Sequence, residues 1–467
     1  MESLLSGLLP PEAVLSDPAA LQDLAVDGLV PRAAVSPGTV EEAARVIRLA
    51  NREGWAVIPW GGGTSLSLGR PPQRLDLVLS LSRLNRIIDL DPANLTATVQ
   101  AGVVLSDLQD LLAGAENRCY FPLDGRLKEK AEAICSDRDY KGVRLPLDPP
   151  RPDRATLGGL VAANASGPQR HRFGQARDLV LGLRFILPTG EIIGAGGKTV
   201  KNVSGYDVSK LLIGSLGSLG LIAEMTFRLL PLPEEEAAWA ASFAGLDQAG
   251  AFARELLDSR LLPTAVELLN RPALKMAPSL GLEASLGGWW LAVGLAGFGE
   301  EVERQLGDLD WLAERHEARD QVRLEAGPAR RFWAELAGAG RAEAGRPPVR
   351  FKGRFPLAAT GQVLADWSRA VEESGLEAVL QNRAGLGLAW VHLPSGGLEE
   401  IGRLGENLRR IAAQAGGGLI VEAAPAELKD KLEVWGPPGP DFALMAELKK
   451  RFDPQGVLNP GRFLGGL

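Results

Sequence analysis

Val57-Ile58-Pro59-Trp60-Gly61-Gly62-Gly63-Thr64-Ser65-Leu66-Ser67 is the stretch whose reading decides the fold. Its two β-branched residues predict a short buried strand, which Pro59 is expected to end. The three glycines that follow leave a backbone with no Cβ to hold a ligand away. Thr64, Ser65 and Ser67 add hydroxyl donors. Successive N–H groups in such a loop form a concavity suited to phosphate. A plain glycine turn between two strands would use the same residues, so the flanking chain has to decide.

Working outward, the 467 residues suffice for two or three domains and a large core. Apolar residues make up 45% and charged residues 23%, as in ordinary soluble globular proteins. A net charge of −7 without a long basic run argues against a nucleic-acid partner. No apolar run is long enough for a transmembrane segment, and the first residues lack a secretory pattern. The expected location is therefore cytoplasmic, with any attachment to the inner membrane face made through partners. Cys119 and Cys135 are too few for a disulfide scaffold, or for an iron–sulfur cluster held by this chain alone. His171, His316 and His392 form no HxH or HExxH pair, so no metal is expected.

Before the glycine loop, residues 1–35 read as a lead-in of short helices. Thr39 looks like the N-cap of a helix carrying Val40, Ala43, Ala44, Ile47 and Ala50 on one face, and Gly54 closes it. After the loop, strands are predicted over 75–81, 87–90 and 96–100, then a helix over 104–113. Residues 124–145 are heavily charged and flanked by the near-copies Phe121-Pro122-Leu123-Asp124 and Leu145-Pro146-Leu147-Asp148. They read as an exposed insertion, either a solvated loop or a docking surface.

Two further small-residue segments follow. Thr156-Leu157-Gly158-Gly159-Leu160-Val161-Ala162-Ala163-Asn164-Ala165-Ser166-Gly167 is read as a loop that lets a flat or extended ligand approach the backbone. A hairpin is predicted around Pro188-Thr189-Gly190. Gly197-Lys198-Thr199 fails as a phosphate loop, because position 192 is Ile where that motif needs Gly. Val200 to Leu212 suits a short helix, and Ile213-Gly214-Ser215-Leu216-Gly217-Ser218-Leu219-Gly220 is another glycine-rich turn before a strand over 221–230. Three such segments beside buried strands point to a long ligand across a sheet edge. The pattern changes after Leu232, where a domain boundary is placed. Strands and helices then alternate, as in a sheet covered by helices on one face.

Together these segments resemble the flavoprotein family typified by vanillyl-alcohol oxidase, D-lactate dehydrogenase and glycolate oxidase. The family's pyrophosphate loop resembles Pro59 to Leu66, with Pro59, Trp60, Gly61, Gly62, Gly63, Thr64, Ser65 and Leu66 as implied FAD contacts. Its second FAD segment resembles Pro149 through Thr156, Leu157, Gly158 and Gly159 to Asn164, Ala165 and Gly167. The third resembles Lys201, Asn202, Gly205, Tyr206 and Asp207 with Gly217, Gly220 and Ile222. The closing motif is Asp453-Pro454-Gln455-Gly456-Val457-Leu458-Asn459-Pro460-Gly461-Arg462, which implies contacts from Asn459 and Arg462. The likeness implies an α+β fold: a two-part FAD-binding domain of vanillyl-alcohol oxidase type over 1–232, and a ferredoxin-like cap over 233–430. Residues 431–467 would return to the first domain.

Within the family the chain is most similar to the E-type flavin subunits of bacterial glycolate oxidase complexes. Asn202-Val203-Ser204-Gly205-Tyr206-Asp207, Ala424-Pro425-Ala426-Glu427-Leu428 and Val434-Trp435-Gly436-Pro437 carry that likeness. It implies a second FAD subunit of D type and an iron–sulfur subunit of F type as partners, acting on a small 2-hydroxy acid such as glycolate or D-lactate. The glycine loop lacks the histidine that tethers flavin in some relatives, so non-covalent FAD is expected. Catalytic relatives also carry a metal-binding His-Ala-Gly-Asp-Gly-Asn-Leu-His run and a Glu-His pair. The corresponding stretches here are Arg383 to Trp390 and Val421-Glu422-Ala423-Ala424, without those histidines or the aspartate. Oxidising a hydroxy acid needs a base at the hydroxyl and a hold on the carboxylate. Lys352, Arg354 and Arg383 are the candidate carboxylate ligands, and His392 and Glu422 the candidate bases. They would matter most if the chain is a self-sufficient dehydrogenase. As cap-sheet residues they could equally be solvated charges, and a mainly structural flavoprotein subunit is the remaining alternative.

Overall fold

The computed structural model describes residues 1–114, 142–199, 206–281, 288–338, 349–394 and 396–467. The charged insertion up to residue 141 lies outside the described residues, with Cys119 and Cys135, and so do Lys201, Asn202 and Gly205. The chain divides into two compact units. One comprises 1–166, 175–232 and 438–467, and the other 167–174 and 233–437.

In the first unit, the helix Val40–Glu53 starts where Thr39 Oγ1 accepts from the Glu42 N–H, and ends at Gly54 with φ +68°. Its apolar face packs against a four-stranded sheet. The strands are β1 (Val14–Leu15), β2 (Ala33–Val35), β3 (Val57–Trp60) and β4 (Leu77–Ser80), in spatial order β1-β2-β4-β3. Pro59 does not end β3 but lies inside it. The Val57 N–H turns away from β4 and donates to Val457 O at 2.7 Å. Pro59, two residues on, turns the same way, so its missing N–H removes no bond to β4.

The second sheet contains β5 (Ile87–Asp91), β6 (Thr96–Gln100), β8 (Val180–Ile186), β9 (Ile192–Gly196) and β10 (Leu221–Arg228), in antiparallel order β5-β6-β10-β8-β9. A small pair, β7 (Val143–Arg144) with β11 (Leu230–Pro231), completes the unit. The segment read as a second loop is a helix, Leu157–Ala163, capped by Asn164 at φ +46°. Adjacent glycines disfavour a helix by about 1 kcal/mol each relative to alanine. Packing overrides that cost, because a Cβ on Gly158 would lie 2.6 Å from Ala101 Cβ.

The second unit holds one eight-stranded antiparallel sheet, ordered β15-β12-β14-β13-β17-β18-β16-β19. Its strands are β12 (Glu235–Phe243), β13 (Ala265–Asn270), β14 (Trp289–Gly297), β15 (Gln321–Glu325), β16 (Val349–Arg354), β17 (Val379–Arg383), β18 (Leu388–Leu393) and β19 (Gly418–Ala423). Helices Leu246–Asp258, Gly299–Arg315, Thr360–Ser374 and Leu398–Gln414 connect them. The expected ferredoxin-like cap is thus two βαββαβ modules, β12 to β15 and β16 to β19, each with the same strand order. They are joined where β13 pairs with β17 through Glu267↔Arg383, Leu268↔Asn382 and Leu269↔Gln381.

All four connecting helices cover one face, over a core that includes Trp239, Phe252, Phe351 and Trp367. The first module's other face has its own cover, the helix Ala326–Gly338 and the short turns over 271–280, packed on Trp290 and Leu269. Neither β15 nor that helix was expected from the sequence. Residues 431–437 stay with this unit because Val434 is fully buried in its core and Val434 O accepts from the Val421 N–H at 2.7 Å. Residues 167–174 join it through the helical turn Arg170–Phe173, which packs against β13.

Candidate functional site

In the first unit an open cleft of about 720 Å³ lies against the glycine loop. Pro59, Gly61, Gly62, Gly63, Thr64, Ser65 and Leu66 form one wall, and Gly158 and Gly159 open another. Gly217, Gly220 and Ile222 supply a third, and Asn459 and Arg462 a fourth. Residues as far apart in the chain as Pro59 and Arg462 therefore meet around one cleft. Gly62 has no alternative: a Cβ there would lie 1.6 Å from Arg154 O. The C-terminal turn is laced into the loop. Arg462 Nη2 donates to Leu66 O and Leu68 O at 2.6 Å each, and the Asn459 N–H donates to Val57 O at 3.0 Å.

Two polar atoms are buried here without a hydrogen-bond partner among the described residues: Asn459 Oδ1, on the lining, and Thr156 Oγ1, behind Gly61 and Gly159. Leaving such groups unpaired costs about 1–3 kcal/mol each. A ligand rich in donors, acceptors and a phosphate fits that need, and FAD has this chemistry. Leu81, Ala162, Ala163 and Leu216 also line the cleft. Alanines inside a helix carry no sequence signal for such a place.

Other implied FAD contacts lie elsewhere. The Trp60 ring packs beneath Gly63 and into a small core with Ile58 and Val78. Leu157 is fully buried in the main core, and Ala165 packs against it. Asn164 Oδ1 accepts from the Arg177 N–H at 3.1 Å. Pro149 is not among the lining residues, Tyr206 is 99% exposed, and Asp207 is also exposed. Gly167 belongs to the second unit.

The second unit gathers the catalytic candidates on the sheet face that its helices leave uncovered. Trp390 is the centre, with Lys352 and Gln381 opposite it on the neighbouring strands. The Arg383 guanidinium lies 4.6 Å from the Trp390 ring and Lys352 Nζ lies 5.4 Å from it. Between Arg350 and Phe351 the pairing with β19 breaks register, so Glu422 is the extra residue of a bulge. The bulge aims Glu422 at the cluster. It accepts from Trp390 Nε1 at 2.9 Å, pairs with Arg350 at 2.8 Å and reaches Lys352 Nζ at 3.4 Å.

Glu267, fully buried, accepts from Arg383 Nε at 2.9 Å and Gln381 Nε2 at 3.3 Å. Burial pushes its carboxyl pKa up, against the pull of Arg383. His392 is 2% exposed and bonds Gln381 at 3.2 Å, whereas Arg354 ends β16 exposed. Lys352 keeps 27% of its side chain exposed. Burial lowers its pKa, Glu422 opposes the shift, and Arg383, Arg170 and Arg350 reinforce it. Sequence reasoning missed Arg350, Glu267 and Trp390 as partners in this network, since only strand register brings them together. Among the described residues no three His, Cys, Asp or Glu side chains stand as a metal-binding group.

Comparison with known proteins finds two family models on the chain. A family model for an FAD binding domain matches residues 31–125 and 138–196, and one for the C-terminal domain of FAD linked oxidases matches 232–463. An uncharacterized FAD-linked oxidoreductase of Mycobacterium tuberculosis is 30% identical over 98% of this chain and 96% of its own. The D-lactate dehydrogenase of Archaeoglobus fulgidus is 28% identical over 93% of each chain. Glycolate oxidase subunit GlcD of Bacillus subtilis is 31% identical over 52% of this chain, a match spanning 47% of that relative's length. Among solved structures, p-cresol methylhydroxylase with substrate bound superposes with a TM-score of 0.72 at 17% identity, over 99% of this chain and 95% of that one. That likeness establishes the fold. The chain belongs to the family of FAD-linked oxidoreductases that join an FAD binding domain to an FAD linked oxidase C-terminal domain.

Proposed function

We propose that the chain is an E-type flavin subunit of an oxidoreductase complex acting on a small 2-hydroxy acid, glycolate or D-lactate. Its partners are a second flavoprotein subunit of D type and an iron–sulfur subunit of F type, in the cytoplasm or against the inner membrane face. FAD is held without a covalent bond, a reading supported by the absence of all three histidines from the residues lining the cleft. Bound there, the flavin supplies a hydride acceptor. Pro59, Gly61 to Leu66, Gly217 and Asn459 are the residues that would hold it, with Thr156 behind Gly61.

The observation that carries this reading is the contrast between the two units. The cleft keeps Asn459 Oδ1 buried on its lining without a partner among the described residues, while Trp390 engages both Arg383 and Glu422. Side chains already engaged in this way favour a chain that works beside a catalytic partner. Lys352 supports the second reading, a self-sufficient D-2-hydroxy-acid dehydrogenase. It is a partly exposed cation over Trp390, able to take a carboxylate through a charge-assisted hydrogen bond.

The test is to purify the chain alone, record its visible spectrum and add glycolate or D-lactate without oxygen. The subunit reading expects flavin absorbance that bleaches only after the partner chains are added. Prompt bleaching by the lone chain would establish the dehydrogenase instead. A chain that takes up no flavin would leave a structural role.

A further inference from the structure

Lys449 lies on the helix Phe442–Phe452, outside every segment singled out by its glycines, and has not been given a role above. Its ammonium is buried in the first unit. Nζ donates to Ser218 O at 2.8 Å, to Leu458 O at 2.9 Å and to Asp453 Oδ2 at 2.6 Å. An ammonium has three donors, and here each has an acceptor. Asp453 in turn accepts from the Val457 and Leu458 N–H groups at 2.9 and 2.8 Å.

The two carbonyls that Lys449 joins flank the strained corners of the cleft. Leu216 has φ +54° and Asn459 φ +49°, and both line it. For a leucine the left-handed region costs roughly 1–2 kcal/mol, less for an asparagine, and such a conformation persists only where the surroundings impose it. Asn459 Nδ2 donates to Leu216 O, tying one corner to the other and leaving Oδ1 as a buried acceptor without a partner among the described residues. Ser218 O and Leu458 O sit beside these corners and converge on one buried cation.

We propose that Lys449 is a positioning residue for FAD. It locks the turn at 216–220 to the turn at 457–462, so that one wall of the cleft is rigid and Asn459 Oδ1 faces a donor group of the cofactor. The proposal rests on the flavin reading of the cleft and assigns a residue that never touches the ligand.

The experiment uses the full chain, stripped of flavin and titrated with FAD. Lys449→Met is expected to raise the Kd for FAD on the order of 10- to 100-fold, the size of a lost charge-assisted hydrogen bond or two. Flavin bound at saturation should show an altered visible band shape. Lys449→Met combined with Asn459→Ala should lose less affinity than the sum of the single changes, since the lysine acts through the asparagine. A Kd within twofold of wild type, or full additivity, would overturn the proposal while leaving the flavin reading intact. Wild-type protein that binds no FAD would overturn both.

If Lys449→Met does not fold, amide hydrogen exchange on the wild type decides. FAD should slow residues 216–220 and 457–459 together by a common factor, and independent responses would overturn the lock.

Discussion

The two modules of the second unit share a strand order, yet the faces they turn away from their connecting helices differ. On the first module that face is apolar apart from Glu267 at its border with the second module, and its own chain covers it: Trp290, Leu269 and Ala292 meet Phe332, Ala329 and Leu336. On the second it carries Arg350, Lys352, Gln381, Arg383, Trp390, His392 and Glu422. Burial of apolar surface is sufficient reason for the first arrangement. The second is expensive, since taking charges out of water costs several kcal/mol per ion before pairing returns any of it. A duplicated fold that stabilises one face cheaply and the other at a cost marks the second as the face with a job beyond stability.

Four measurements bear on that contrast. The largest effect is expected on the apolar face, where Phe332→Ala should destabilise the second unit by about 3–5 kcal/mol, read by denaturant unfolding. Flavin content should not change. Arg383→Met should cost nearly as much, about 3–5 kcal/mol, by leaving Glu267 buried and unpaired. The difference lies in repair: Arg383→Met with Glu267→Leu should recover most of the stability, as apolar replacement of a buried pair commonly does. If stability returns while turnover in the assembled complex does not, the charged face is kept for function.

Lys352→Met should shift stability by less than about 1 kcal/mol, because its side chain is partly exposed and its bond to Glu422 is long. Under the dehydrogenase reading the same change should weaken D-lactate or glycolate binding about 10- to 100-fold, measured by flavin perturbation. The smallest effect is in pH dependence. Below the lysine's pKa the ammonium attracts a carboxylate, and above it that attraction is lost. Burial moves this pKa below 10.5, so wild-type binding should decline at a lower pH than an ordinary lysine would give. Lys352→Met should lack that alkaline limb.

Much of the first unit was legible because its signals are local. Thr39 and Gly54 bracket their helix as cap chemistry requires, and the glycine loop lies where three glycines precede hydroxyl side chains. Pro59 misled because its meaning depends on which strand edge it faces, and that is decided by Val457 at the far end of the chain. The helix Leu157–Ala163 was hidden by glycines whose role is contact with Ala101. In the second unit, individual strands and helices could be read from periodicity, but not the duplication, which exists in pairing order. Glu422 could be named as a candidate, while its aim comes from a bulge that no residue type announces. Lys449 looked like one charge in a Lys-Lys-Arg run at a helix end, and its burial follows from partners 231 residues away.

The bond from the Val57 N–H to Val457 O has a consequence for the order of synthesis. The glycine loop leaves the ribosome early, but the turn that completes its cleft is made nearly a whole chain later. Closing so long a loop is entropically costly and slow. Chains that end before residue 459 lack the wall built by Asn459 and Arg462, so cofactor capture is expected to wait for that turn, and chains cut before it should be colourless.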